Sequence, residues 1–478
     1  MLHNKDIFRR YDIRGVFGKN LTSDTAECSA RAFATQVIKE KGDSHPKLSV
    51  GRDNRFSSKE LAEAVIKGLT ASGADVLDIG VCPSPLTYFS MYSEDTDGYV
   101  MITGSHNPPE FNGIKVGTKK TVYHSEKIEQ IYRDIIAENY PVPDRPGTVS
   151  KGEIKTKYIR FMLDHFAPLK RDMEKLGRKI KIVIDAGSGT ASDIAPVIFS
   201  GLGAEVYPLY CVSDGSFPGH HPDPTVEKNM AEAKALLLDK SADMAIGYDG
   251  DADRLGALDC KGEMVWGDQL IAVFAYDVAP DHKGAKVVAD VKASLGLYEL
   301  IESVGMEPVM YLSGHSMIKV KMKEVGAVIG GEMSSHFFFS DRYFGFDDGI
   351  YASLRLLGAY VGRLSRGEIE TSCQLTSVMK KYPNTPEIRD YCPDSKKFEI
   401  ILKLYDVFSV YKREGKLGIK DIIDIDGLRI VFEKGWALVR ASNTEPLLVT
   451  RYEAVTTEEM ERLRSIVKAE IDRIVNDK

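Results

Sequence analysis

Asp249, Asp251 and Asp253 occupy alternate positions in the run Asp249-Gly250-Asp251-Ala252-Asp253-Arg254, directly after the strand-like segment ADMAIGY. On an extended backbone, side chains two apart share a face, so the three carboxylates converge, and the small residues between them let the chain wrap one hard cation. Magnesium takes oxygen ligands and is usually shared with a phosphate. A helix-loop-helix calcium site does not fit: its sixth position needs Gly and is Arg254, and its twelfth needs Glu and is Cys260. Left solvated at a strand end, three aspartates repel one another unless something neutralises them.

A second segment, Thr103-Gly104-Ser105-His106-Asn107-Pro108, follows the apolar run GYVMI. A serine at a strand end between Gly and Pro sits on a tight loop whose backbone N–H groups can face a ligand, although a simple turn has the same composition. Hydrolase chemistry is disfavoured, because a histidine adjacent in sequence is badly placed as the base of a triad and the elbow GxSxG is missing. A phosphorylated serine would add about −1.5 to −2 charge. Among three carboxylates it would cost roughly 4 kcal/mol per charge pair at 4 Å and an effective dielectric of about 20. A divalent cation together with Arg254 offsets that cost.

Two further segments bind rather than react. In Gly331-Glu332-Met333-Ser334-Ser335-His336, a carboxylate and a hydroxyl two residues apart suit vicinal sugar hydroxyls; a surface loop reads the same way. In Arg440-Ala441-Ser442-Asn443-Thr444-Glu445-Pro446, hydroxyls, an amide, a guanidinium and loop N–H groups make an anion cradle, or an ordinary polar turn. Smaller elements are Tyr11-Asp12-Ile13-Arg14-Gly15, Lys115 in NGIK, Lys292 in DVKAS and Gly314-His315-Ser316.

The elements that must position these residues follow a repeat. An apolar strand ends in a polar turn, a helical stretch follows, and a second strand opens just after a Gly. One copy runs from KLSVGRDNR to SGADVLDIG, with Gly73 and Val76; the next from IKIVIDAGSGT to LGAEVYPLY, with Gly203 and Val206; the third from AKVVADVKAS to VGMEPVMYL, with Gly305 and Val309. Alternating strands and helices predict parallel sheets covered by helices, and a spacing near a hundred residues predicts separate similar domains rather than a solenoid. Beyond residue 370 the pattern changes to short strands and then a terminal helix with a capping box at Thr456 and Glu459 and an apolar face of Met460, Leu463, Val467, Ile471 and Ile474. The Pro- and Gly-rich stretch from Tyr140 to Glu153 reads as a linker. The expected domains are residues 1–150, 151–258, 259–370 and 371–478: three similar mixed-sheet α/β domains and a smaller α+β domain.

A chain of 478 residues is too long for one core. Its net charge of −7 argues against nucleic acid as a partner, since no basic excess exists to neutralise a phosphate backbone. No run of about 18 apolar residues and no apolar N-terminal leader segment argue against a membrane. Six scattered cysteines without CxxC read as unpaired thiols in a reducing compartment, and a cytoplasmic protein is expected.

Taken together, TGSHNP, the DGDxDR loop, the GEMS loop and RxSNTEP resemble the α-D-phosphohexomutase family, in its phosphomannomutase/phosphoglucomutase branch, in order along essentially the whole chain. The resemblance implies four domains around a central cleft. It implies that Ser105 carries the phosphoryl group, that Asp249, Asp251 and Asp253, with Ser105, bind Mg2+, and that Arg254 stabilises the transferring group. Lys115, with Arg14 and His315, would manage protons at the substrate hydroxyl. Glu332, Ser334, His336 and Lys292 would bind the sugar phosphate, and Arg440, Ser442, Asn443 and Thr444 its non-reacting phosphate. A hexose 1,6-bisphosphate would prime the serine, the partners would be small hexose phosphates, and the chain would be a monomer or weak homodimer. Two positions depart from the usual pattern: Ala252, where Gly is frequent, and Ser335, where Gly or Ala is usual.

The expected reaction is reversible transfer of a phosphoryl group between the 1- and 6-positions of mannose or glucose phosphate. Rival readings are a glucosamine-phosphate mutase, a non-catalytic sugar-phosphate-binding protein, and a mutase using an aspartyl nucleophile, with Asp249 and Asp251 as a DxD pair and Asp347 and Asp348 as a downstream acidic pair.

Overall fold

The computed structural model describes residues 4–120, 122–442 and 446–476. Its strands form four sheets. The three predicted copies become three parallel pairs in matching register: Lys47 lies opposite Asp75, Lys181 opposite Glu205, and Lys286 opposite Glu307. In each copy the helix between the paired strands is followed by a glycine in the left-handed region (Gly73, Gly203, Gly305), which lets the chain turn back without a Cβ clash.

A third strand then joins the other side of the first: Gly98–Ile102, Met244–Tyr248 and Ile329–Gly331. The strand order therefore reverses beside the first strand in every copy. At such a reversal the loops leaving the carboxyl ends of the first and third strands splay apart and leave room for a ligand. In the first two copies the chain returns antiparallel, through Phe111–Thr118 and Leu255–Leu258. The third-strand loops are residues 103–110, 249–254 and 332–336, the same three segments singled out for chemistry.

The C-terminal sheet is wholly antiparallel, in the order Ile388–Tyr391, Leu447–Ala454, Gly435–Ala441, Leu428–Phe432, Ile419–Ile423. The helices Asp394–Arg413 and Thr457–Asn476 cover it. Met460, Leu463, Val467 and Ile474 are buried in that core with Ile471 partly so, and Thr456 Oγ1 accepts from Glu459 N at 3.2 Å, as the capping pattern requires.

Contacts group the chain into two units: residues 1–274 with 334–376, and residues 275–333 with 377–478. Among the described residues no helix is long and apolar enough to cross a membrane.

Two expectations are corrected. Within the presumed linker, Val149–Lys151 pairs with Val76–Asp78 as an edge strand, because Gly147 closes to the preceding strand (its missing Cβ would lie 1.8 Å from Ala74 O). The thiols are not all unpaired: Cys260 and Cys373 form a disulfide with Cα atoms 5.7 Å apart, while Cys28, Cys82, Cys211 and Cys392 are not disulfide-bonded. Cys260 sits in a hairpin turn and Cys373 in the 3-10 helix Ser372–Val378, brought together over 113 residues, so spacing gave no sign of it. The compartment argument from free thiols falls with it.

Candidate active site

In the first unit the serine loop and the acidic loop meet. Ser105 Oγ donates to Asp249 Oδ2 at 2.9 Å and lies 3.1 Å from His106 Nδ1. Ser105 is 3% exposed, with a left-handed φ of 49°. The two loops touch through backbone: a Cβ on Gly250 would stand 2.7 Å from Ser105 O, so only glycine permits the approach.

The acidic loop is a turn, not the extended segment expected. Asp249 directly follows the strand, Ala252 takes a left-handed φ of 56°, and its N–H bonds Asp249 O at 3.1 Å. The turn still converges the carboxylates: Asp249, Asp251 and Asp253 are buried, and each offers an oxygen within 4.8 Å of the others. It also makes Ala252 a less innocent replacement for glycine than size alone suggests, since an L-residue there is strained.

Lys115 Nζ bridges Asp251 Oδ2 (2.7 Å) and Asp253 Oδ2 (2.6 Å), and Ser84 Oγ donates to Asp251 Oδ2 at 2.5 Å. Burial works against the Lys115 ammonium, but the two aspartates overcome it and hold its pKa above the ordinary lysine value. Arg254 Nε lies 3.7 Å from Asp249 Oδ2 and 3.3 Å from His336 Nε2, and His336 Nε2 is 3.4 Å from Asp253 Oδ1. Burial, then the charges of Asp253 and Asp251, push Asp249 well above the carboxylate range. Burial also opposes charge on Asp253, yet Lys115 and His336 keep it well below that range. Asp251 Oδ1 and Asp253 Oδ1 are buried and accept no hydrogen bond. Three buried aspartates that each offer an oxygen within 4.8 Å of the others, two of them with an oxygen that accepts no hydrogen bond, fit a bound divalent cation.

Arg14 reaches the serine loop: Nη1 donates to Gly104 O (3.0 Å) and Asn107 Oδ1 (2.6 Å), and the other arm pairs with Asp12. Ser334 and His336 belong to this first unit, 3.4 Å apart through Ser334 Oγ and His336 Nδ1.

The second unit gathers the remaining predicted residues. Lys292 Nζ lies 3.6 Å from Asp290 Oδ2 and 3.1 Å from Glu387 Oε1. Lys292 pulls Glu387 down to about 2, whereas burial pushes Asp290 up to about 6. Arg440 Nη2 donates to Asp426 Oδ2 at 2.9 Å, and the same oxygen accepts from Ser313 N at 3.3 Å. Ser313 Oγ lies 3.3 Å from Asp290 Oδ2, and Gly314 N donates to Glu332 Oε1 at 2.5 Å, immediately before His315 opens its helix. Ser442 is tied by its carbonyl to Lys397 Nζ at 2.5 Å. Asn443 and Thr444 lie outside the described residues.

Models of the phosphoglucomutase/phosphomannomutase α/β/α domains I, II and III match residues 5–141, 157–262 and 266–382, and the model of the C-terminal domain matches 387–470. The chain belongs to the phosphoglucomutase/phosphomannomutase family. A phosphomannomutase/phosphoglucomutase of Pseudomonas aeruginosa is 39% identical over 468 residues, covering 98% of this chain and 96% of that one. A phosphoglucomutase of Neisseria meningitidis is 39% identical over 472 residues, covering 98% and 97%. A crystal structure of a phosphoglucomutase/phosphomannomutase family protein from Burkholderia thailandensis superposes with a TM-score of 0.88 at 32% identity, covering 99% of each chain.

For a member of this family, the sequence reading passed over several residues that shape the site. Ser84, on the first turn of the helix Ser84–Ser93, braces Asp251; Asp426 and Glu387 fix Arg440 and Lys292. Asp53 and Arg55 touch the serine loop directly. Their only sequence signal was position, since GRDNR occupies the first-strand turn at the point where the sheet order reverses.

Proposed function

We infer that this chain transfers a phosphoryl group reversibly between the 1- and 6-positions of a hexose phosphate, mannose or glucose, with phosphorylated Ser105 as the donor. The observation that carries the reading is the buried contact of Ser105 Oγ with the acidic cluster at 2.9 Å. Membership of the phosphoglucomutase/phosphomannomutase family supports the same reaction.

Asp249, Asp251 and Asp253 would hold Mg2+, which supplies positive charge at the phosphoryl oxygens when bound. Ser105 loses its phosphoryl group to the free hydroxyl of the substrate, giving a hexose 1,6-bisphosphate. After the sugar turns end for end, the other phosphate passes back to Ser105 Oγ. Arg254, beside Asp249, faces the charge that develops on the transferring group. Lys115, charged and set between Asp251 and Asp253, is assigned with Arg14 and His315 to the proton of the attacking hydroxyl. Burial of Ser105 and its neighbours keeps water from the phosphoserine.

Lys292 and Arg440 are the cations for the non-reacting phosphate, joined by Ser442, Asn443 and Thr444, while Glu332 and Ser334 bind sugar hydroxyls. Glu332 and Ser334 are assigned to O3 and O4, which mannose and glucose share, so dual use of the two sugars is the reading. A free hexose 1,6-bisphosphate primes Ser105. The aspartyl-nucleophile alternative has no support at Asp348, whose carboxylate caps the helix Gly349–Ser365 through Tyr351 N and accepts from Tyr158 and Tyr343 hydroxyls.

Turnover of mannose 1-phosphate, glucose 1-phosphate and glucosamine 1-phosphate, each with bisphosphate primer and magnesium, tests the reading. Ser105→Ala is expected to cut kcat by about 10^4-fold or more. Full rate in that variant on its best substrate would overturn the serine assignment, and a preference for glucosamine 1-phosphate would replace the sugar.

A further inference from the structure

The guanidinium of Arg55 has its whole donor set committed to one purpose. Nη2 donates to Ser105 O (2.7 Å) and Asn107 O (2.6 Å), Nη1 to Pro108 O (2.6 Å) and Phe111 O (3.1 Å), and Nε to Asp53 Oδ2 (3.1 Å). That accounts for all five N–H groups an arginine owns. Four of the acceptors are carbonyls of the serine loop or its exit, and the fifth is a carboxylate that also accepts Gly104 N at 3.0 Å. The side chain is fully buried. Gly104 leaves it room, since a Cβ there would stand 2.5 Å from Arg55 Cζ, and the buried ring of Phe217 lies 5.1 Å from the guanidinium carbon.

We propose that Arg55, oriented by Asp53, is a positioning residue for phosphoryl transfer: it holds Ser105 in its left-handed conformation and so keeps Oγ aimed at the acidic cluster. The physical need is plain. A serine at φ 49° is strained by about 1–2 kcal/mol and persists only where its surroundings over-determine it. Arg55 grips the carbonyls of Ser105 and Asn107 from one rigid plane, so the loop cannot relax without breaking several charge-assisted hydrogen bonds together. Gathering those carbonyl oxygens on one cation also keeps their negative ends engaged when the serine gains its phosphate. Released, Ser105 would return to negative φ and carry Oγ away from Asp249. Arg55 touches neither sugar nor metal in this scheme, so its loss acts on the transfer step and leaves substrate binding largely intact.

The inference rests on the phosphomutase reading of Ser105. Turnover by the unaltered chain reports on that reading, and the ratio of variant to parent reports on this one. Arg55→Lys keeps the charge but has three donors at a point and cannot span the loop. It is expected to lower kcat by about 10^2-fold with KM for glucose 1-phosphate changed by less than about threefold. Arg55→Ala is expected to fall further and to regain at least about fivefold in tens of millimolar guanidinium chloride, with no gain in sodium chloride of equal strength. Should Arg55→Ala fail to fold, Arg55→Lys and the shape-preserving Asp53→Asn, expected to lose about tenfold in kcat, carry the test. Parent-like kcat in a folded Arg55→Lys, a rise in KM with kcat kept, or an Arg55→Ala whose rate responds to neither salt would each overturn the proposal.

Discussion

The two units solve opposite charge problems. In the first, three buried carboxylates converge beside Lys115, Arg254 and His336, and two of their oxygens accept no hydrogen bond. In the second, each cation has its own carboxylate: Lys292 sits between Asp290 and Glu387, and Arg440 against Asp426. One arrangement leaves carboxylate oxygens without a hydrogen-bond donor and suits a metal; the other holds its cations in fixed ion pairs before any anion arrives. The first unit also carries the Cys260–Cys373 cross-link, while Cys392, the one cysteine of the second, is not disulfide-bonded. Preorganisation thus takes a different form in each: shared carboxylates and a covalent staple in one, ion pairs in the other.

The largest expected effect separates the units by stability. Closing a span of 113 residues is worth about 4–5 kcal/mol through the unfolded chain. Reduction, or Cys373→Ser, should lower the melting transition of the first unit by several degrees and leave that of the second in place, as read by calorimetry with and without dithiothreitol. Next, Asp251→Asn should cut kcat by about 10^2- to 10^3-fold and raise the magnesium concentration for half-activity, whereas Asp426→Asn should leave the magnesium requirement unchanged.

Lys292→Met should raise KM for the hexose phosphate by about 10- to 100-fold, the loss of one charge-assisted contact. The same change should let Glu387 return from about 2 toward the ordinary carboxylate range, followed by carboxyl NMR. With a folded value below the unfolded one, Glu387 contributes stability above about pH 4.5 that is lost as pH falls through about 2; in Lys292→Met this acid-side contribution should shrink, with Arg440 and Arg389 still acting on Glu387. Asp290 has the reverse sign: its value of about 6 means that folding is penalised as pH rises from about 4 through 6, and Asp290→Asn should remove that step. The smallest effect is Ala252→Gly, which relieves a left-handed alanine and should stabilise the first unit by no more than about 1 kcal/mol.

Much of this was legible in the sequence. The three strand–helix–strand copies and the capping box followed from periodicity and turn residues, whereas the meeting of the serine and acidic loops was implied only by the family resemblance. What escaped was long-range. Arg55 and Asp53 look like any polar turn after a strand until the sheet order brings that turn against residues 104–111. The Cys260–Cys373 pair has no local signature, and the left-handed turn at Ala252 needed coordinates, because alternation of Asp with small residues fits a strand equally well. Glu332 and Ser334 read as one motif, yet contact density assigns them to different units.

The close approach at Gly104 and Gly250 bears on how this protein can be re-engineered. Added methyl groups there would meet Arg55 Cζ at 2.5 Å and Ser105 O at 2.7 Å. Both neighbours are themselves held, so neither can step aside. A mutational scan should find these two sites among the least permissive in the chain, and libraries seeking new sugar scope would do better to spend their diversity on the strands and loops that surround Lys292 and Glu332.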